Sequence, residues 1–329
     1  MRTSLVPKDL WKATTGFYTV WLAYLGRRYG ILQELGKRAV TAKELSKTLH
    51  LHQPTVETWC VAAASAGILR RGPHGYRMPS GLVPYLLREE SPGYLAGQLE
   101  YAAAMSLDYA HFDQLFRDMT PIAARDRARL TQAVADATRW DHTAFLHLAL
   151  PQLPHLHRHF KHGAKVLDVG CGSGGWMVRT AARFPKSRFI GLDPDREALT
   201  SATQAIVRSG LKERVSVARG VVGRTGYTAE FDIAYLGEVL SAVQNPAAAL
   251  AGVRAALKPA AHLLLLEGIV PATSSPNAAL IHAMDLDQRL QGGRFFPRKE
   301  LQGLLKSGGF RKPRWIPLGG DLWAIAADA

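Results

Sequence analysis

The stretch that most constrains this chain is Val166-Leu167-Asp168-Val169-Gly170-Cys171-Gly172-Ser173-Gly174-Gly175. An apolar, strand-like run enters a glycine-rich turn, and an amphipathic segment follows. Glycine lets a backbone turn tightly and lets a ligand approach it closely. Amide N–H groups at the start of the following helix can receive negative groups. A strand, a glycine turn and a helix in this order commit the region to an α/β architecture.

The neighbouring sequence keeps the same rhythm. Strand-like runs fall at Val166–Val169, Phe189–Leu192, Val215–Ala218, Ile233–Leu236 and His262–Leu266, with helical stretches near 176–184, 195–208 and 246–257. Alternation at this spacing predicts a doubly wound parallel sheet. Upstream the texture differs. Thr41-Ala42-Lys43-Glu44 reads as a capping box opening a helix that ends near His50. Leu51 to Pro54 reads as a turn, and a second helix runs from Thr55 to Ala66. Residues 68–71 and 76–78 then form two short strands around the turn-rich Gly72-Pro73-His74-Gly75. Helix, turn, helix and hairpin make a winged helix. The expected domains are therefore 1–95, a winged-helix unit; 96–160, an Ala-rich helical connector covering the active site; and 161–329, the α/β domain.

The chain has 329 residues, 47% of them hydrophobic, which suffices for two globular cores. Its two cysteines, Cys60 and Cys171, build neither a disulfide framework nor a metal site, and a cytoplasmic setting is expected. The apolar run Ala13–Gly26 is too short to span a bilayer and reads as a buried helix. Four histidines, His155, His157, His159 and His162, precede the first strand of the α/β domain. On a helix, alternate positions diverge and Arg158 lies among them, so no metal site is expected. Net charge is +14, yet no dense Lys/Arg block occurs. Thr48 to Leu69 holds neither residue, so the helix that would enter a DNA groove has nothing to read it with. Arg70, Arg71 and Arg77 on the wing could still touch phosphates. This count argues against nucleic acid as a partner.

Gly170, Gly172 and Gly175 also satisfy the dinucleotide fingerprint GxGxxG. Asp168 argues against that use. A fixed carboxylate two residues before the first glycine repels a pyrophosphate and favours an ammonium or sulfonium cation. The second strand ends at Asp193, about 20 positions beyond the loop, where a carboxylate can accept both ribose hydroxyls. Asp195, after Pro194, is better placed to cap the next helix.

These segments resemble a class I S-adenosylmethionine methyltransferase. VLDVGCGSG matches that family's first motif and GLDPD its acidic second-strand end. FDIAYLGEVL (231–240) is similar to the fourth-strand motif, LKPAAHLLLLEG (257–268) to the passage into the fifth strand, and RKELQGLLKSGGF (298–310) to the last helix before the closing strands. With the winged helix, the whole chain is similar to small-molecule O-methyltransferases that dimerise through that domain.

The resemblance implies a Rossmann-like sheet and S-adenosylmethionine as cofactor. Asp168, Gly170, Gly172 and Gly174 would face the methionine moiety and Asp193 the ribose. Gly237 and Glu238 would border cofactor and acceptor. It implies a small-molecule acceptor of secondary-metabolite, pigment or quinone-like kind, methylated on oxygen or carbon, and a homodimer that buries the helix near Phe17 to Leu25.

Two departures matter. Ala218-Arg219-Gly220-Val221 has no carboxylate for the adenine amino group. Relatives that methylate phenols carry a Leu-His pair after the fourth strand, where this chain has Leu240-Ser241, and serine is no base unaided. Glu238 and His282 are the leading base candidates, with His142 behind them. Leu236-Gly237-Glu238-Val239 lacks the Asn/Asp-Pro-Pro-aromatic loop of base-amine methyltransferases. A regulator or ligand sensor that keeps the cofactor domain without turnover is the alternative that Ser241 leaves open.

Overall fold

The computed structural model describes residues 7–107, 109, 113, 116–117 and 127–329. Backbone contacts divide the chain into two units. The first is Met1–Leu107 with Gln132–Trp140, the second Asp108–Thr131 with Asp141–Ala329. The segment 96–160 is thus shared out between the two units, and much of 108–126 lies outside the described residues.

The first unit opens with the long helix Pro7–Arg28, then Ile31–Lys37, Ala42–Leu49 and Gln53–Ser65, and the hairpin β1 (Arg70–Gly72) and β2 (Gly75–Arg77). The capping box forms: the Thr41 hydroxyl accepts the Glu44 N–H, and the Glu44 carboxylate accepts the Thr41 N–H, both at 3.2 Å. Helix Gln53–Ser65 begins earlier than its sequence suggested, because Pro54 sits inside the first turn, where its missing N–H costs nothing. Ile68 and Leu69 are buried ahead of the hairpin rather than within it. Their side chains join Leu32, Leu35, Leu45, Cys60 and Ala63 in the core.

The helix Pro7–Arg28 has two characters. Near its C-terminal end, Ala23 and Gly26 are buried. A Cβ on Gly26 would lie 2.5 Å from the Trp59 ring, and Trp59 Nε1 donates to the Leu22 carbonyl at 3.2 Å. Toward the N-terminus, Leu10, Trp11, Phe17 and Tyr18 are each at least half exposed.

The second unit is built on one sheet. Its strands are β3 (Lys165–Val169), β4 (Arg188–Asp193), β5 (Val215–Arg219), β6 (Phe231–Gly237), β7 (Leu257–Val270), β8 (Phe296–Pro297), β9 (Arg311–Gly319) and β10 (Leu322–Asp328). The order is β5-β4-β3-β6-β7-β10-β9, with β8 beside the end of β7. Strands β3 to β7 run parallel, and β10 is antiparallel to both β7 and β9. Helices Gly175–Arg183, Arg196–Arg208 and Pro246–Ala256 lie where the alternation put them. Strand β7 is far longer than the apolar run His262–Leu266. The preceding helix stops at Ala256 because Pro259 favours extended backbone before it, and pairing with β10 extends the ladder to Gly268. No helix of the described residues is long and apolar enough to cross a membrane.

The histidine segment forms the helix Pro154–His162. Contrary to the sequence reading, His155 and His159 do share a face, being four residues apart. Their rings each lie 5.1 Å from that of His262, whose Nδ1 is 3.3 Å from an Asp328 carboxylate oxygen. His157 turns away onto Phe184. Among the described residues no group of His, Cys, Asp and Glu is arranged to hold a metal ion.

Candidate active site

The sheet order reverses between β3 and β6, and in open α/β sheets ligands bind in the crevice at such a point, outside the carboxyl ends of the strands. The glycine loop leaves β3 there. Gly170, Gly172 and Gly174 all have positive φ, at 73°, 52° and 77°, a region that residues with a Cβ rarely enter. The Gly170 position has a second requirement, since a Cβ would come within 2.5 Å of Val239. Around Gly172 the space is open, with no atom within 4 Å of where a Cβ would stand.

Asp193 ties this loop to β4. One carboxylate oxygen accepts the Gly172 N–H at 2.9 Å, and the other accepts the Asp195 N–H at 2.9 Å. Burial raises the Asp193 carboxyl above its usual range, against these two hydrogen bonds. Asp195 caps helix Arg196–Arg208 through the Glu197 N–H, as its position after Pro194 suggested. Asp168 is buried at the end of β3, and burial, with the Asp193 charge behind it, holds its carboxyl well above the normal range. Burial likewise raises the Cys171 thiol, which makes it a poor nucleophile.

On the other side of the reversal, β6 delivers Tyr235, Gly237 and Glu238. Tyr235 pairs in register with Asp168 and stacks on Trp176, with ring centroids 3.7 Å apart and planes 4° from parallel. A Cβ on Gly237 would lie 2.5 Å from the Tyr235 hydroxyl, so any side chain there would have to displace it. Glu238 follows in left-handed conformation, φ 55°, and its N–H donates to the Leu266 carbonyl at 2.7 Å. Burial pushes the Glu238 carboxyl up to about 7. Burial also raises the buried Asp141, with Glu238 as the second cause.

Sequence reading missed three members of this group: Tyr235, Asp141 and Glu267. Glu267 is fully buried on β7. Its Oε1 accepts the Leu240 N–H at 2.8 Å and its Oε2 has no hydrogen-bond partner. Burial, then the Glu238 charge, pushes it up to about 8. Burial and the carboxyls of Asp168, Asp141, Glu238 and Glu267 together hold the Tyr235 hydroxyl above the usual phenol range.

Ser241 lies beneath this surface. It is buried, its hydroxyl donates to the Glu238 carbonyl at 3.2 Å, and its own carbonyl accepts the Arg294 N–H at 2.7 Å. His142 lies against the glycine loop, its ring 3.0 Å from where a Cβ on Gly175 would stand. His282 is exposed on helix Ala278–Leu290.

The arrangement matches known proteins. Residues 140–312 match the model of a family described as a methyltransferase domain. A demethylmenaquinone methyltransferase from Lactiplantibacillus plantarum is 32% identical over 125 residues, 37% of this chain and 51% of that protein. The polyketide synthase ThaQ of Burkholderia thailandensis is 27% identical over 109 residues, 33% of this chain and 5% of the synthase. The chain thus spans about half the length of the first of these curated relatives and about a twentieth of the second. Among solved structures, human N-acetylserotonin methyltransferase in complex with SAM has a TM-score of 0.78 at 18% identity, covering 100% of this chain and 99% of that one. An O-methyltransferase family protein from Burkholderia thailandensis has a TM-score of 0.74 at 17% identity, covering 99% and 98%. The likeness in fold therefore takes in both units, while the family match starts at the second, and on that match this chain belongs to the methyltransferase-domain family, of the class I, S-adenosylmethionine-dependent type.

Proposed function

We propose that this chain moves the methyl group of S-adenosylmethionine to an oxygen or carbon of a small acceptor, of secondary-metabolite, pigment or quinone-like kind. It works in the cytoplasm as a homodimer joined through its winged-helix unit. The observation that carries the reading is the Asp193–Gly172 tie at the sheet reversal, opposite a mouth lined by Glu238.

The residues suit the cofactor. Each Asp193 oxygen keeps a lone pair beyond its backbone bond, enough to accept the ribose hydroxyls. Asp168 offers a carboxyl whose charged form the ammonium of the methionine end would favour, and the open space at Gly172 lets that end lie on the backbone of Gly170, Gly172 and Gly174. Gly237 keeps the mouth of β6 clear. When bound, the sulfonium supplies a methyl carbon with a leaving group already activated. The protein has then to align the acceptor, exclude water and dispose of one proton.

Glu238 takes that proton. Its raised carboxyl is matched to the task near neutral pH. Ser241 is buried and cannot reach an acceptor. His282 is the second candidate.

Calorimetry with S-adenosylmethionine and, separately, NADH tests the cofactor: saturable binding of the first alone is expected, and binding of NADH alone would reverse the reading. Turnover of a hydroxylated quinone panel by Glu238→Gln and His282→Ala tests the base. A loss of about 100-fold is expected for the first, and full activity in either variant removes that residue.

A further inference from the structure

The strands that carry the proposed cofactor site stand side by side in the order β5-β4-β3. Asp168 and the glycine loop close β3, and Asp193 closes β4. The base and the methionine chain of the cofactor leave the ribose from opposite sides. With the ribose at Asp193 and the methionine end over β3, the base therefore lies over the end of β5. Neighbouring strands are about 4.8 Å apart, which suits the step from ribose to base. What β5 presents there is what the base meets.

Arg219 ends β5 and pairs in register with Asp193. Its Nε donates to the Pro194 carbonyl at 3.3 Å, so the guanidinium reaches across to the residue that follows Asp193. The Gly220 N–H donates to the Asp193 carbonyl at 3.2 Å and fastens the two strand ends together. Arg219 is exposed, and among the described residues it forms no ion pair. Val221 follows as an apolar side chain left 59% exposed at the same rim.

The 6-amino group of adenine is a donor and needs an acceptor. From Ser216 to Ala229 the chain holds neither Asp nor Glu. The carboxylates on either side are engaged elsewhere. Asp195 caps its helix through the Glu197 N–H at 2.8 Å, and Glu230 pairs with Lys165 at 2.6 Å, at the opposite end of β6. Arginine carries five donors and no acceptor, so it cannot bond the amino group. Its plane can lie on the face of a ring, where the π electrons attract the cation.

Resting on the methyltransferase reading above, we propose that this chain holds the adenine of its cofactor by the face, through Arg219 with Val221 beside it, and leaves the 6-amino group unread. Discrimination is then confined to the ribose and the methionine end. A purine without the amino group is accepted here. A carboxylate in this place would reject it, because its acceptor would be left without a donor.

The test compares S-adenosylhomocysteine with its 6-deamino analogue, which carries hydrogen in place of the amino group and keeps the other ring atoms. Both are titrated by calorimetry into the full chain, so neither turnover nor acceptor is needed. They are expected to bind within about 5-fold of each other, against about 10-fold or more for a site with a charged acceptor. A larger gap in either direction overturns the proposal. Arg219→Ala is expected to weaken both compounds alike, by about 2- to 5-fold, the size of a cation–π contact at an exposed site. A smaller loss, or one that falls on one compound alone, removes Arg219 from the role and the proposal with it. Thermal melts without ligand are expected to show an intact fold, since the side chain is exposed. If S-adenosylhomocysteine binds and the gap appears, the base reading alone fails; if neither compound binds, the methyltransferase reading fails as well.

Discussion

The Asp193 carboxylate holds the Gly172 N–H at 2.9 Å, and so binds the acidic end of one strand to the glycine turn of its neighbour. One side chain thus shapes the loop and, on the proposal above, grips the ribose. Asp193→Ala is expected to weaken S-adenosylmethionine binding by about 30-fold or more, since hydrogen bonds to a charged group contribute about 1.5–3 kcal/mol each. It also lowers the melting temperature, because two backbone N–H groups lose their acceptor. Asp193→Asn keeps an oxygen for one of them and is expected to fall between. Calorimetry and thermal melts on the three proteins check this. Unchanged affinity in Asp193→Ala removes the ribose role.

Glu267 makes stability depend on pH in a direction opposite to that of a salt-bridged carboxylate. Its carboxyl is raised from the ordinary 4.5 to about 8 by burial. A group raised in the folded state contributes its full stability below its unfolded value and loses it as pH climbs through the folded one. The wild-type melting temperature is therefore expected to fall between pH 5 and pH 9. Glu267→Gln carries no ionisable group and is expected to flatten the fall by about 5 °C. Parallel slopes in the two proteins would refute this.

Gly237 and the Tyr235 hydroxyl compete for the same space. Gly237→Ala is expected to destabilise by about 1–3 kcal/mol, the usual cost of overpacking. Adding Tyr235→Phe removes the clashing oxygen and is expected to restore part of that loss. Denaturant melts of the two single variants and the double variant give the coupling, and simple additivity would show that the contact is not the cause.

The exposed aromatic half of helix Pro7–Arg28 is the proposed dimer surface. Trp11→Glu with Phe17→Glu is expected to turn a dimer into a monomer by light scattering at micromolar concentration. Both side chains are at least half exposed in the single chain, so the fold of the unit is expected to survive, as circular dichroism would show. A wild-type monomer ends the dimer proposal.

Much of the fold was legible in the chain because its signals are local. The strands β3 to β6 announce themselves as apolar runs, and the capping box of Thr41 and Glu44 needs only four residues to be recognised. The glycine loop is legible for the same reason: backbone conformation there forces the residue type. What stayed hidden depends on contacts across the fold. Glu267 closes the run Leu263 to Leu266, and nothing in that run says that its carboxyl turns inward to meet Leu240. Trp176 and Tyr235 are 59 positions apart, and each reads as an ordinary core aromatic until the register of β3 and β6 brings them together. Ser241 looked like a vacant catalytic position, but its burial shows it to be part of the turn's support. His155 and His159 were misjudged through the intervening His157, when the helical repeat of four was the spacing that counted.

Gly293 has no room for a Cβ, which would stand 2.3 Å from the Ser241 carbonyl. The corner after helix Ala278–Leu290 is thereby pinned to the turn that carries Glu238. For anyone reshaping acceptor choice, this marks a fixed pivot. An exposed position such as Leu280 is open to a library, whereas a side chain at 293 would displace the turn below it and take Glu238, the proposed proton acceptor, out of line.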